Sequence, residues 1–199
     1  MEPWHTDESR YIVEDRWLHL RADTCRTASG AVADPYYVIE SSDWVVVVAL
    51  TNKHEVLFVR QYRHGMAKVV LELPCGIQEA EDASSDGAVR RELLEETGYA
   101  APHLIHLGSH DVNPARFNNR MHSYLALDVT PERMPRPDHT EELQIERRPI
   151  SETFMGLNRG ILDLQPMHLV ALYRAQAWLQ ENQPDVLASR AEPPTPRER

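Results

Sequence analysis

The sequence predicts a protein of the α/β (α+β) class, in which strands and helices share one core. Three observations support that prediction: an apolar, β-branched run at residues 44–50, a capped helical segment at residues 85–97, and a second helical segment from Pro166 to about Gln180. With 199 residues, 42% of them hydrophobic, the chain can bury one proper core. One globular domain is therefore the default expectation.

The N-terminal region, residues 1–40, is expected to form an antiparallel β-meander. Residues 17–21 alternate between apolar and polar side chains, Ser29 and Gly30 signal a turn, and residues 36–39 are β-prone. This meander is rich in large apolar side chains, so it needs a surface to cover it.

The central region, residues 41–182, is expected to form the main domain. Residues 44–50 are apolar throughout, as in a strand covered on both faces, and a polar turn leads from them into residues 56–59, so the two strands should pair as a hairpin. Further strands are predicted at residues 69–73, 104–109, 123–128 and 143–147. Residues 183–199 combine prolines with charged side chains and are predicted to be disordered.

The helix at residues 85–97 has the clearest boundaries. Capping-type residues stand at its start, from Ser84 to Asp86, and Gly98 follows its end, where a left-handed conformation closes many helices. Pro166 suits the first turn of the final helix.

The composition excludes several functional classes. A formal net charge of -10 opposes binding to nucleic acids, which depends on Lys and Arg displacing counterions from phosphates. No apolar run is long enough for a membrane span, and the N-terminus lacks the features of a signal peptide, so a cytoplasmic protein is expected. The two cysteines match no zinc motif and are expected to be thiols.

Three carboxylates of the helix at residues 85–97 point to metal chemistry. Glu92, Glu95 and Glu96 are related as i, i+3 and i+4, so they project from one helix face. Like charges at this spacing repel each other, and divalent cations would relieve that repulsion. Mg²⁺, or alternatively Mn²⁺, prefers such oxygen ligands and bridges to phosphate oxygens. The alternative is a solvated acidic face.

A resemblance to the Nudix box is carried by three consecutive segments: residues 73–76, the acidic loop that follows them, and residues 91–99 (RELLEETGY). The resemblance implies a Nudix-type α/β/α sandwich with a mixed β-sheet and a metal-dependent pyrophosphatase. It implies that Glu92, Glu95 and Glu96 bind the metal and act in catalysis.

The same resemblance assigns roles to the residues around the helix. The carbonyl of Cys75, just before the box glycine Gly76, is a possible further metal ligand, and Arg91 would brace the loop through a carboxylate. The loop from Gly76 to Arg91 is one residue longer than the family pattern. Glu81 is the choice for the first box glutamate, with Glu79 and Asp82 as alternatives.

Sequence on both sides of the box resembles the ADP-ribose and nucleotide-sugar branch of the family. Arg63 would contact the diphosphate, unless it is merely a surface charge at a strand end. Arg116 lies in a loop that replaces the branch's usual Ser-Pro-Gly and is a candidate substrate contact. Glu142 is chosen over Glu141 as the base that activates water.

Trp17 corresponds roughly to an aromatic residue of this branch that can stack on adenine, often across a dimer interface, although a tryptophan at an alternating strand position is more often a core residue. The resemblance therefore implies a homodimer that hydrolyses ADP-ribose or a nucleoside diphosphate sugar. The alternatives are a catalytically silent sensor of ADP-ribose and an enzyme for another nucleotide, such as NADH or a dinucleoside polyphosphate. No partner nucleic acid or membrane is expected.

Overall fold

A computed structural model describes residues 2–188 and confirms that strands and helices are mixed. The strands are β1 (His5–Glu14), β2 (His19–Arg26), β3 (Val32–Glu40), β4 (Trp44–Thr51), β5 (Glu55–Arg63), β6 (Lys68–Glu72), β7 (Cys75–Ile77), β8 (Tyr99–Ala100), β9 (His103–Asp111), β10 (Arg120–Pro131) and β11 (Leu143–Pro149). The helices are α1 (Ser85–Thr97), α2 (Ile150–Asn158), α3 (Pro166–Asn182) and α4 (Pro184–Ala188).

The described residues divide into two compact units rather than one domain. The smaller unit contains the chain up to Trp44 together with Ser109–Met121, and the larger contains Val45–Gly108 and the chain from His122 onward. The first boundary lies close to the one predicted at residue 40. Residues 109–121 were assigned to the main domain from sequence, but they pack with the N-terminal strands, as backbone Ile39 N–H donates to the Arg116 carbonyl at 2.7 Å.

The smaller unit contains a three-stranded antiparallel sheet in the order β1-β2-β3, which confirms the predicted meander. Strand β1 was missed because its ten residues are polar and almost all exposed, so they show no apolar alternation. The strand predicted from Trp17 begins instead at His19. Trp17 lies in the β1–β2 turn with 74% of its surface exposed, which rules out a core position.

The larger unit is built on an eight-stranded sheet in which β4 is central. The order is β11-β5-β4-β10-β8, with β6 on β5, β7 on β4 and β9 on β10. The predicted β4–β5 hairpin is confirmed by the antiparallel pairing of Leu50 with Val56. After Trp44, every residue of β4 is buried, as the uniformly apolar run predicts.

Both faces of this sheet are covered by helices. On one face, alternate residues of β4 share a core with the apolar side of α1; the participants are Val45, Val47, Ala49, Ala88, Val89 and Leu93. The intervening residues of β4 point to the opposite face. There α2 contacts β5 and β11, and the Arg174 side chain of α3 donates to the Leu107 carbonyl at 3.0 Å. This layering holds α1 rigidly against the sheet.

Helix α1 has the predicted boundaries and caps. The Ser84 hydroxyl accepts a hydrogen bond from Gly87 N–H at 3.2 Å, and Gly98 closes the helix with φ of 75°. A Cβ atom at Gly98 would overlap the carbonyl oxygen of Arg133, so the position requires glycine for space as well as for its left-handed backbone.

Two helices were not predicted. Residues Ile150, Thr153, Phe154 and Leu157 of α2 are buried at helical spacing, so the pattern was present but short. Helix α4 shows that the predicted disorder of residues 183–199 is wrong for its first part; residues 189–199 lie outside the described residues. Helix α3 begins at Pro166, as predicted, and extends to Asn182. Within residues 2–188, no helix has the length and apolar character needed to cross a membrane.

Candidate active site

Two of the three α1 carboxylates lie against the backbone of β7. Glu96 is 3% exposed, and its Oε2 accepts a hydrogen bond from backbone Cys75 N–H at 3.2 Å. Glu92 lies one turn earlier and packs against Gly76, where any Cβ atom would overlap the Glu92 carboxylate. Gly76 is therefore required so that the loop backbone can approach the helix. Glu95 is the most exposed of the three.

Arg91 connects the loop after β7 to helix α1. Its Nε and Nη2 donate to Asp82 at 3.1 and 2.9 Å, and Nη2 also donates to the Ile77 carbonyl at 2.9 Å. Its Nη1 donates to Glu92 Oε1 at 3.0 Å and to Glu95 Oε2 at 3.1 Å. These bonds, that to Asp82 first, raise the pKa of Arg91. One guanidinium thus braces the loop and offsets charge on the helix.

The carboxylate that pairs with Arg91 is Asp82, so the choice of Glu81 from sequence is wrong. Glu81 is exposed. Asp82 reaches Arg91 because residues 79–82 form a turn: backbone Asp82 N–H donates to the Glu79 carbonyl, and backbone Glu79 N–H donates to Asp82 Oδ2 at 2.9 Å. An aspartate that hydrogen-bonds its own turn was the signal available in the sequence.

The two inner carboxylates are held in an unfavourable charge environment. Burial, the adjacent Glu92 and the loop residue Glu141 raise the pKa of Glu96 well above its usual range. Burial is also the main cause that raises the pKa of Glu92 to about 7, with the charges of Glu95 and Glu141 adding to it and Arg91 opposing it. Such groups are stabilised when a cation arrives.

A loop glutamate, Glu141, influences this cluster electrostatically. Its charge acts on both Glu92 and Glu96. Its position is fixed by Asp138, whose carbonyl accepts from Glu141 N–H at 2.8 Å and whose N–H donates to Glu141 Oε2 at 3.3 Å. Glu142, the choice made from sequence, is exposed to solvent. Two adjacent glutamates cannot be distinguished from sequence when the turn before them is unknown.

Arg63 is held by a buried carboxylate that sequence reasoning missed. Its Nε and Nη2 donate to Glu72 Oε2 at 3.0 and 2.8 Å, and Gln165 Nε2 donates to Glu72 Oε1 at 2.6 Å. Glu72 is 1% exposed. A charged residue inside the otherwise apolar run at residues 69–73 was the available signal, because buried carboxylates require partners.

Trp17 and Arg116 belong to the smaller unit, whereas the residues described above belong to the larger one. The guanidinium of Arg16 lies 4.2 Å from the centre of the Trp17 ring. Arg116 lies 5.8 Å from the centre of the Tyr36 ring. Both predicted substrate contacts are thus exposed groups stacked within their own unit.

The chemistry of the larger unit's acidic cluster fits a hard divalent cation. No group of three His, Cys, Asp or Glu side chains in residues 2–188 converges in a ready-made metal site. The donors nevertheless suit Mg²⁺: buried Glu96 and partly buried Glu92, both with raised pKa values, lie beside the backbone of Cys75 and Gly76. Burial raises the pKa of the Cys75 thiol, which therefore stays protonated and leaves the carbonyl as that residue's oxygen donor.

Helix α1 presents three carboxylates beside a glycine turn on one face of a mixed sheet, the arrangement expected of the Nudix family. The NUDIX domain matches residues 42–161, and the chain belongs to this family. Residues 4–39 match the nucleoside diphosphate sugar hydrolase N-terminal domain. A crystal structure of an ADP compounds hydrolase superimposes with a TM-score of 0.78 at 21% identity, covering 92% of this chain and 97% of that one, which confirms the fold.

Several curated proteins are similar to this chain. The methanol dehydrogenase activator of Bacillus methanolicus is 29% identical over 63% of this chain and 66% of its own length. The ADP-ribose pyrophosphatase of Bacillus subtilis is 28% identical over 47% of this chain and 50% of its own length. The ADP-ribose pyrophosphatase of Mycobacterium tuberculosis is 28% identical over 71% of this chain and 68% of its own length. The chain thus spans half to two thirds of the first two relatives. These likenesses support the family and leave the substrate open.

Raising the pH should destabilise the metal-free protein through Glu92. The folded-state pKa of this carboxyl group is about 7, against an ordinary value of 4.5. Between these two pH values Glu92 is ionised in the unfolded chain but protonated in the folded protein, so the free energy of unfolding falls as the pH rises. The fall stops above the folded-state pKa. The difference corresponds to about 3 kcal/mol at most.

Urea unfolding in the presence of a chelator, from about pH 4 to about pH 8, measures this effect. The Glu92→Gln variant cannot ionise at this position, so it should lose this part of the pH dependence and exceed the wild type in stability at the alkaline end. A variant that is no more stable than the wild type at about pH 8 would contradict the assignment.

Proposed function

We propose that the protein hydrolyses the diphosphate bond of ADP-ribose or a related nucleoside diphosphate sugar, giving a nucleoside monophosphate and a sugar phosphate. The observation that supports this most directly is the pair of carboxylates held against the backbone of the glycine turn, with buried Glu96 at Cys75 and partly buried Glu92 at Gly76. Glu95 completes the acidic face. The match of residues 4–39 to the N-terminal domain of nucleoside diphosphate sugar hydrolases supports the substrate class.

Glu92, Glu95, Glu96 and the Cys75 carbonyl would hold Mg²⁺, with Mn²⁺ as a substitute. When bound, the metal supplies positive charge that offsets these carboxylates and polarises the diphosphate. Arg91 keeps the loop and the helix together while the cluster is loaded, since its bonds to Asp82 and Ile77 do not involve the cluster.

Two further residues would act on the substrate and on water. Arg63, beside the acidic cluster, would bind a non-bridging oxygen of the diphosphate. Glu141 would accept a proton from the attacking water as its oxygen bonds to phosphorus. The bridging P–O bond then breaks, and the leaving phosphate keeps its electron pair. With ADP-ribose, this step gives AMP and ribose 5-phosphate.

Trp17 and Arg116 are proposed to contact the nucleotide, as exposed side chains of the unit that carries the nucleoside diphosphate sugar hydrolase N-terminal domain. Two of the similar proteins are ADP-ribose pyrophosphatases, which favours ADP-ribose. The second candidate is an enzyme for other ADP compounds, such as NADH, and is favoured by the likeness to an ADP compounds hydrolase, NudE of Escherichia coli, at 27% identity. A silent sensor is disfavoured because all three α1 glutamates are present.

The proposal predicts that the purified protein releases AMP from ADP-ribose only when Mg²⁺ is added. Replacing Glu96 with Gln removes one anionic metal ligand and should lower the rate by orders of magnitude. Chromatography of the products measures both effects, and thermal melting confirms that the variant is folded. The same assay compares nucleoside diphosphate sugars, NADH and dinucleoside polyphosphates.

Each outcome of that assay has a distinct meaning. Binding of ADP-ribose without AMP release would favour the sensor. Near-normal turnover by folded Glu96→Gln protein would overturn the metal role of this residue. A clear preference for a nucleoside triphosphate or a dinucleotide would overturn the substrate assignment and leave the pyrophosphatase chemistry standing.

Glu141 and Glu142 form a matched pair for testing the base. Glu141→Gln should lower kcat by about 100-fold or more with little change in KM, because the proton acceptor acts in the transition state. Glu142→Gln should behave as wild type. Steady-state kinetics on both variants measures the difference, and a larger loss in Glu142→Gln than in Glu141→Gln would reverse the assignment.

We further propose a homodimer formed through the N-terminal sheet. Large side chains of this unit are exposed within the chain, including Trp4, Tyr11, Ile12, Trp17 and Tyr37. Sedimentation at micromolar concentration should give twice the chain mass of 22.9 kDa. A single species at the chain mass would refute the dimer, and with it any role of Trp17 across a subunit interface.

A further inference from the structure

Glu72 is an ionised side chain in a place where ordinary packing would use an apolar one. It lies at the end of β6, is 1% exposed, and follows a strand of apolar residues. Burial alone would raise the pKa of Glu72, but the nearby His168 and Arg63 more than compensate, so the pKa lies below its usual range. A buried charge of this kind needs dedicated partners, and replacing a whole buried ion pair with apolar residues is often neutral for stability, so such a pair is weak evidence for a role in stability.

The partners of Glu72 come from two other elements. Arg63 at the end of β5 donates two hydrogen bonds to Oε2. From the start of α3, Gln165 donates to Oε1 at 2.6 Å. His168, one turn further along α3, is fully buried, and its Nε2 lies 3.8 Å from Oε1, so that α3 also closes the space beneath the carboxylate.

Arg63 is therefore fixed but still available to a ligand. Its bonds to Glu72 use Nε and Nη2, and 40% of its side chain remains exposed. Its partner Glu72 lies three residues before Cys75, whose backbone N–H donates to Glu96, so the Arg63–Glu72 pair lies close along the chain to the acidic cluster. The charge of Glu96 accordingly acts on Arg63. A guanidinium whose orientation is fixed in advance loses less entropy when it binds a phosphate oxygen.

We infer that Glu72, anchored by Gln165, is a positioning residue that holds the Arg63 guanidinium beside the carboxylates of α1 for contact with the substrate's diphosphate. This inference rests on the proposed function. It implies that α3, which lies outside the Nudix box, helps to position an active-site side chain through Gln165. A purely structural pair would stabilise the fold without affecting how a diphosphate binds.

The test is a double-mutant cycle on diphosphate binding. Inorganic pyrophosphate is titrated calorimetrically, with Mg²⁺ present, into the wild type, Arg63→Ala, Glu72→Gln and the double variant. Each single change should weaken binding about tenfold, the effect expected from losing a charge-assisted hydrogen bond or its alignment. The double variant should bind no more weakly than Arg63→Ala, because Glu72 acts only through Arg63.

The chain offers a matched control on the same strand. Arg60 of β5 donates to Glu146 at 2.6 Å, in a second arginine–glutamate pair that has no place in the proposed site. Glu146→Gln should leave pyrophosphate affinity unchanged. If Glu72→Gln does not fold, Gln165→Ala serves instead: Gln165 is exposed, so the fold should persist, and affinity should fall about threefold through the looser carboxylate.

The outcomes separate this inference from the proposed function. If folded Glu72→Gln or Gln165→Ala protein binds pyrophosphate with wild-type affinity, the positioning role of Glu72 is overturned. Additive effects of Arg63→Ala and Glu72→Gln in the cycle would overturn it as well. A wild type that does not bind pyrophosphate would overturn the diphosphate role of Arg63. Failure to hydrolyse ADP-ribose, with the binding cycle as expected, would overturn only the proposed substrate.

Discussion

The guanidinium of Arg91 is the interaction on which the geometry of the site depends. It hydrogen-bonds Asp82 and the Ile77 carbonyl in the loop and also Glu92 and Glu95 on the helix. Three carboxylates on one helix face repel each other, and the charge of Arg91 reduces the repulsion at Glu92 and Glu95. It also keeps the loop backbone against the helix, where Gly76 must meet Glu92 without a side chain.

Two buried glutamates of the larger unit have pKa values shifted in opposite directions, and their hydrogen-bond and charge partners decide the direction of each shift. Glu72 is as buried as Glu96, yet its pKa is lowered, while the pKa of Glu96 is raised. Glu72 has a guanidinium and an amide as donors, whereas Glu96 has one backbone N–H and a neighbouring carboxylate. The site thus contains two kinds of carboxylate. Glu72 is fully paired and holds the Arg63 guanidinium in place, whereas Glu92 and Glu96 would be stabilised by the binding of a further cation.

The sequence predicts those features that depend on rigid local geometry. The spacing of Glu92, Glu95 and Glu96 determines their common face because a helix has a fixed period, and Ser84 and Gly98 determine its ends. The sequence leaves Glu79, Glu81 and Asp82 open as partners of Arg91, because the turn at residues 79–82 decides which of these acids reaches the guanidinium. Strand β1 was missed for a different reason: it pairs through its backbone while its side chains stay in solvent.

The loop at residues 109–121 shows why membership of the family does not define the substrate. In the sequence it follows the box, but in the structure it belongs with the N-terminal strands: the Tyr36 hydroxyl donates to the Ala115 carbonyl at 2.8 Å, and Ile39 bridges to Phe117. Its conformation is thus set by packing against β3 and not by the catalytic helix. Under the proposed function, in which Arg116 of this segment contacts the nucleotide, the segment would be free to vary with the substrate while α1 and the loop after β7 stay constant.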